Sequence, residues 1–257
     1  MKKTVTSKKQ KPITFHIVSL FPGVFDSYLG ESILRRAIDD GKITVKFYNP
    51  RDYTVPTGKV RGADGKMKKV WSYADRRVDD KAYGGGPGMV IEALPVVKAI
   101  EAAVGKKMRS KKNPKTSKTS KNSVKIVFFA PGGKMFNTEY AKKAAAAYTD
   151  IVFICGRYEG IDARVNKIFK TETISVGPFV LTGGELPAMI MIDSISRQIS
   201  GVLGDIASLE ESRIASPDVY TRPETIEFKG KKYRVPKILL SGNHKLIEEW
   251  RARQSEK

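Results

Sequence analysis

The chain has 257 residues, a formal net charge of +20, one cysteine and two histidines. A fold of this size buries roughly 70–75% of its unfolded surface and needs no staple. Cys155 with His16 and His244 excludes a disulfide framework and an ordinary zinc site. The apolar runs are too short to cross a bilayer, and the basic N-terminus lacks an apolar signal core, which predicts a cytoplasmic protein.

Residues 1–12 hold five lysines and no acid, and read as a basic disordered extension. ITFHIVSL (13–20) reads as a strand, and 22–40 follows with helical spacing through Phe25, Leu29, Ile33 and Ala37. ITVKFYN (43–49) is a second strand. Residues 59–77 carry seven basic residues against Asp64 and Asp75, and stand as a basic insertion. After YGGGPGM (83–89), EALPVVKAIEAAV (92–104) is helical. Residues 105–122 carry eight basic residues and no acid, the pattern of a flexible insertion. VKIVFFA (124–130) reads as a strand buried on both faces. Asn137 and Glu139 open an Ala-rich helix to about Tyr148, and IVFIC (151–155) is another buried strand. ETISV and FVL are strand-like and lead to a helix over 184–199. Alternating strands and helices predict an α/β domain with a mostly parallel sheet. Beyond Gly204 a polar linker, 204–214, precedes a small unit at 215–257 with a strand pair and a basic helix after Asn243.

Nearly all the excess charge sits in peripheral segments. That pattern suits solvated loops, and it also suits phosphate attraction, since neutralised phosphates release counterions. Three glycine-rich segments stand out: 83–89, CGRYEG (155–160) and LTGGELP (181–187). None is a phosphate loop of the GxxxxGK[ST] or GxGxxG kind. Two lie directly after expected buried strands, where open α/β sheets bind ligands.

The ordered set SLFPGVF (19–25), PRDYT (50–54), VDDKAYGGGPGM (78–89), GRYEGID (156–162), LTGGELPAM (181–189), ISRQISGVLG (195–204), YTRPE (220–224) and LLSGNH (239–244) closely resembles bacterial tRNA (guanine-N1)-methyltransferase. The resemblance runs from Ile13 to about Arg251. It implies a SPOUT-type α/β domain over 13–203 with a parallel sheet and a deep trefoil knot, and a small, mainly helical tRNA-binding domain at the C-terminus. It implies a homodimer with the active site at the subunit interface. The implied reaction moves a methyl group from S-adenosyl-L-methionine to N1 of the guanine immediately 3′ of the anticodon.

The family's donor-binding loops map onto Pro131, Gly132, Gly156 and Tyr158, onto Val176, Gly177, Pro178, Phe179, Val180 and Leu181, and onto Gly183, Gly184 and Pro187. Val-Gly-Pro-Phe stands here where the family commonly has Ile-Gly-Asp-Tyr, which keeps backbone contacts and loses a tyrosine hydroxyl. Abstracting the N1 proton calls for a carboxylate base, and charge developing on O6 calls for fixed donors such as a guanidinium. The family's arginine corresponds to Arg197, and Glu159 matches an acid near the target base. Arg157 beside it reads as structural. The family's base is an aspartate followed by serine. An ungapped match puts Ser212 there, while a one-residue deletion aligns Glu-Glu-Ser and makes Glu211 the carboxylate. The alternative to a methyltransferase is a tRNA-binding relative that keeps the pocket and has lost the base. A divalent ion such as Mg2+ finds no support in the sequence.

Overall fold

Alternation in β1 (Ile13–Val18) serves both faces of an interior strand: Ile13, Phe15 and Ile17 enter one core and Val18 enters the other. The computed structural model describes residues 12–56, 58–70, 72, 74–110, 123–203 and 218–255. The expected helix over 22–40 is broken. A 3-10 turn at Pro22–Phe25 leads to α1 (Asp26–Leu29), and α2 (Ser32–Asp39) follows after Gly30. The spacing of Phe25, Leu29 and Ala37 still buries all three. Continuity fails because Ser32 stands at φ 51° and turns the chain between two short helices.

After β2 (Ile43–Tyr48) and a 3-10 turn at Pro50–Tyr53, the basic segment forms a two-stranded ribbon, β3 (Gly58–Arg61) and β4 (Met67–Val70). Short β5 (Asp79–Asp80) and β6 (Val90–Ile91) flank the first glycine-rich loop. The helix α3 (Ala93–Ser110) runs further than the apolar pattern and takes in the start of the basic insertion. Then come β7 (Val124–Met135), α4 (Thr138–Ala147), capped by the Asn137 side chain on the Tyr140 N–H at 2.9 Å, and β8 (Asp150–Ile154). The order closes with α5 (Arg164–Phe169), β9 (Glu172–Ser175) and α6 (Glu185–Arg197).

The five-stranded sheet has the order β2-β1-β8-β7-β9, with every pair parallel. One core cluster packs α2, α4 and α6 on one face, and the other packs α3 and α5 on the opposite face. Every residue of β8 is buried, as expected of a central strand that is apolar from Ile151 to Ile154. β7 departs from expectation: only Ile126 and Val127 are fully buried, and the strand continues to Met135 through a register shift between Phe129 and Lys134. Gly133 makes the shift possible, because a Cβ there would fall 2.7 Å from the Ile174 backbone. The expected strand at FVL is absent, and 176–184 is one long loop in which Phe179 and Val180 are exposed.

Contacts divide the chain at Val202/Leu203. The second unit holds a hairpin of β10 (Thr225–Phe228) and β11 (Lys231–Arg234), a 3-10 turn at Lys237–Leu240 and α7 (His244–Ser255). Lys229 and Gly230 both stand at positive φ, as a two-residue hairpin turn demands. None of the described residues of this unit is buried. No helix among the described residues is long and apolar enough to cross a membrane. The extension 1–11, residues 111–122 of the basic insertion, and the linker with Glu210, Glu211 and Ser212 lie outside the described residues.

Candidate functional site

The irregular stretch of β7 at its register shift and the loops that follow β8 and β9 together wall a cleft of about 520 Å³. That volume suits a nucleoside-sized ligand. From β7 come Phe128, Phe129 and Pro131; from β8 come Gly156, Tyr158 and Glu159. The loop after β9 supplies Val176, Gly177, Phe179, Val180 and Leu181. Gly183, Gly184 and Pro187 close the floor. Of the residues expected at a donor site, Gly132 and Pro178 are not in the lining; Pro178 is exposed beside buried Gly177.

Backbone proximity explains the glycines. A Cβ on Gly184 would lie 2.6 Å from Cys155 Cα and 3.1 Å from the Gly156 nitrogen, and the Gly184 N–H donates to the Gly156 carbonyl at 3.0 Å. The start of α6 is therefore seated directly on the end of β8, main chain against main chain. Ser175 Oγ donates to the Gly177 carbonyl at 2.9 Å and accepts from its N–H at 3.3 Å, which folds the loop back at its root. Such a wall offers backbone donors and acceptors and few side-chain charges.

An ion pair is built into this wall, with Arg157 lining the cleft and Glu185 buried beneath it. Glu185, 2% exposed, accepts from Ser19 Oγ at 2.7 Å. Its other oxygen lies 3.0 Å from Arg157 Nε but off the N–H direction, so neither atom has an aligned hydrogen bond. The Arg157 guanidinium also reaches the Thr182 carbonyl at 3.4 Å and stacks 4.9 Å from the Phe21 ring centroid. One side chain thus ties the ends of β1 and β8 to the loop and to α6. Next to it, burial pushes the Cys155 thiol well above its ordinary range, helped by the Glu185 carboxylate and opposed by Arg157, which makes the thiol unreactive.

Glu159 is exposed on the rim. Its N–H donates to the Met89 carbonyl at 3.0 Å, and Gly88 at φ 80° passes so close that a Cβ would fall 2.6 Å from the Glu159 side chain. The first and second glycine-rich segments are one structure, joined also by the bridge between Ile91 and Ile161. Tyr158, at φ 59°, makes the tight turn that presents Glu159.

Arg197 is not brought to this cleft. It ends the 13-residue helix α6 that Glu185 begins, about 18 Å along the axis at the usual helical rise. Glu211 lies outside the described residues. Sequence reasoning missed Ser19 and Glu185 as a pair. They stand far apart in the chain, and an acid at a helix start reads as a macrodipole contact. It missed Asn166 of α5, which also lines the cleft, because nothing local marks it.

The cleft fits S-adenosylmethionine: glycine backbones approach closely, exposed Phe179 and Val180 offer apolar surface, and Glu159 supplies an acid at the rim.

Comparison with known proteins gives a consistent answer. The sequence model of the tRNA (Guanine-1)-methyltransferase TrmD family matches residues 13–257. A tRNA (guanine-N(1)-)-methyltransferase of Clostridioides difficile is 41% identical over 245 residues, covering 94% of this chain and 91% of that protein. One of Geobacter sulfurreducens is 38% identical over 245 residues, covering 94% and 85%. The crystal structure of tRNA (m1G37) methyltransferase from Aquifex aeolicus superposes with a TM-score of 0.67 at 32% identity, covering 95% of this chain and 89% of that one.

Proposed function

The chain belongs to the tRNA (Guanine-1)-methyltransferase family, and we propose that the glycine-walled cleft is where the family's reaction runs. The activity is methyl transfer from S-adenosyl-L-methionine to N1 of the guanine immediately 3′ of the anticodon, in tRNA. The observation that carries the placement is the meeting of the irregular stretch of β7 with the loops after β8 and β9 in one cleft whose lining includes Gly156, Gly160, Gly177, Gly183 and Gly184. S-adenosylmethionine, when bound, supplies an electrophilic methyl group on its sulfonium. Pro131, Gly156, Val176, Gly177 and Phe179–Leu181 hold the donor through backbone groups, and Gly183, Gly184 and Pro187 support them from below. Relatives over nearly the whole chain are named as methyltransferases, so a binding-only relative has no support.

Guanine N1 carries a proton that must leave. Glu211 accepts it, a contribution of roughly 10²–10⁴-fold for a well-placed base. Arg197 donates to O6 as negative charge builds there, and Glu159 faces the base from the rim. Arg197 reaches the reaction from a second copy of the chain. Leu186, Ile190, Asp193 and Arg197 recur at helical spacing on one stripe of α6, and Leu186 and Ile190 are 53% and 44% exposed. Tyr28 donates a hydrogen bond to Asp193, which sets α1 and its exposed neighbours Phe21 and Val24 beside that stripe. An apolar patch of this kind is what a subunit contact covers. In this reading a homodimer supplies Arg197 to its partner's cleft, and a tRNA substrate supports a cytoplasmic location. The threading of 176–184 past the end of β8 is where we place the family's knot. The second unit carries Lys231, Lys232, Arg234 and Arg251 on exposed positions and serves as a tRNA-binding domain.

Methyl incorporation into an unmodified tRNA transcript tests the assignment. Arg197→Ala is expected to lose about 10²–10³-fold in kcat, and Glu211→Ala to lose far more than Ser212→Ala. Full activity in Glu211→Ala would remove Glu211 as the base. Mixing Arg197→Ala chains with cleft-blocked Leu181→Arg chains should restore activity that neither has alone. Absence of rescue would mean that Arg197 serves its own subunit's cleft.

A further inference from the structure

The ribbon at 58–70 has no role in the core: no residue of it belongs to either cluster, and Lys59–Arg61 and Lys66–Lys69 are all exposed. An isolated two-stranded hairpin is marginal in water, and its register makes this one worse. Lys59 pairs directly with Lys69, and Arg61 with Met67. Opposite residues in an antiparallel pair share a face, so Lys59, Lys69 and Arg61 crowd one side, and like charges set opposite each other repel. The ribbon's one acid, Asp64, lies 3.5 Å from Lys68, a residue of the other face. Among the described residues neither Lys59 nor Lys69 has a carboxylate partner, and Arg61 makes one bond, to the Gly65 carbonyl at 3.3 Å.

The ribbon's position is equally specific. It leaves the sheet just after the C-terminal end of β2, the same edge at which the cleft opens. Its base is tied by Arg51, whose guanidinium donates to the Arg76 carbonyl at 3.4 Å. The chain then passes into the loop whose Gly88 and Met89 back Glu159 on the cleft rim.

We propose that this ribbon is an arm that grips the phosphate backbone of the tRNA whose guanine occupies the cleft. Cations that have no carboxylate partner among the described residues, set on an exposed ribbon, suit a polyanion, and side chains at Lys59 and Arg61 stand about 7 Å apart along the strand, on the scale of successive phosphates. Lysine is a point charge without planar recognition, so the arm adds affinity and not base choice. The proposal rests on the methyltransferase reading of the cleft.

The test is the triple variant Lys59→Gln, Arg61→Gln, Lys69→Gln, with tRNA affinity measured across a salt series. Each lost phosphate contact removes roughly 0.7–0.9 from the slope of log K against log salt. The expected result is a slope shallower by about 2 to 3, with affinity at low salt down about tenfold or more and affinity for S-adenosylmethionine unchanged. Lys69→Glu separates charge from folding: it places an opposite charge across from Lys59, so RNA binding should weaken with no fall in melting temperature. Wild-type methylation with an unchanged slope in the triple variant overturns the proposal alone. A wild-type protein that neither binds nor methylates the transcript overturns the functional reading and the proposal with it.

Discussion

Asp150 and Glu185 are buried carboxylates at opposite edges of one sheet, and they are satisfied to different degrees. Asp150, 0% exposed, starts β8 at the N-terminal edge. It accepts from His16 Nε2 at 3.0 Å, Lys107 Nζ at 2.6 Å and Thr149 Oγ1 at 2.8 Å. Burial pushes its pKa up, and the hydrogen bonds from Lys107, His16 and Thr149 more than reverse that, holding it below 3.8. Glu185, at the cleft edge, has one aligned donor in Ser19 and a guanidinium that is close but misdirected. The frame end is saturated with donors; the cleft end is not. Incomplete satisfaction gathers where function constrains the geometry. Here Arg157 must also serve Thr182 and Phe21.

The largest effect should come from breaking the saturated end. Asp150→Ala strips buried His16 and Thr149 of their acceptor and Lys107 of its carboxylate, three hydrogen bonds at once, and is expected to cost about 3 kcal/mol, read by urea denaturation. S-adenosylmethionine should still bind the protein that folds, since nothing in the cleft touches Asp150. Gly184→Ala tests the main-chain seat of α6. Its Cβ would meet the Cys155 backbone at 2.6 Å, and overpacking of this kind costs roughly 1–3 kcal/mol. In this variant donor affinity should fall more steeply than stability, the reverse of Asp150→Ala. Glu185→Gln keeps the volume and the Ser19 contact while removing the charge. A stability change near 1 kcal/mol should accompany a clear loss of methyl transfer, as the Arg157 anchor and the Thr182 segment loosen. If Glu185→Gln and Asp150→Ala proved equally destabilising, the two edges would not differ as argued.

Much of this was readable from residue order. Strand periods placed β1, β2 and β8, the Asn137 cap placed α4, and the glycine segments marked the loops that form the cleft. What escaped had physical reasons. The strand-like FVL is coil because Gly177 and Pro178 turn the chain out of the sheet and leave Phe179 and Val180 exposed. Lys107 falls in a run that reads as a solvated basic insertion, yet α3 carries it onto Asp150. The ribbon at 58–70 was hidden because its charges carry no strand alternation. Arg197 was legible as a residue type at a helix end, but not its distance from the cleft, since a motif carries no three-dimensional separation.

The smallest effect concerns how the saturated end responds to acid. Burial lowers the pKa of His16 below 6.5, although Asp150 pulls it the other way. The neutral ring then donates from Nε2 to Asp150 while Nδ1 accepts from the Tyr48 hydroxyl at 3.1 Å, a tautomer assigned from these partners. Because the unfolded chain takes up the proton more readily than the folded one, His16 contributes stability above pH 6.5 that drains away as pH falls through that value toward the folded pKa. Asp150 loses its own contribution only below 3.8, its ordinary value. Between these limits, of the two, only His16 titrates. Melting temperature should therefore decline in mild acid for the wild type. It should stay nearly flat over the same range in His16→Gln, whose amide can still donate to Asp150. An identical decline in both proteins would assign the acid sensitivity to a group away from this end of the sheet.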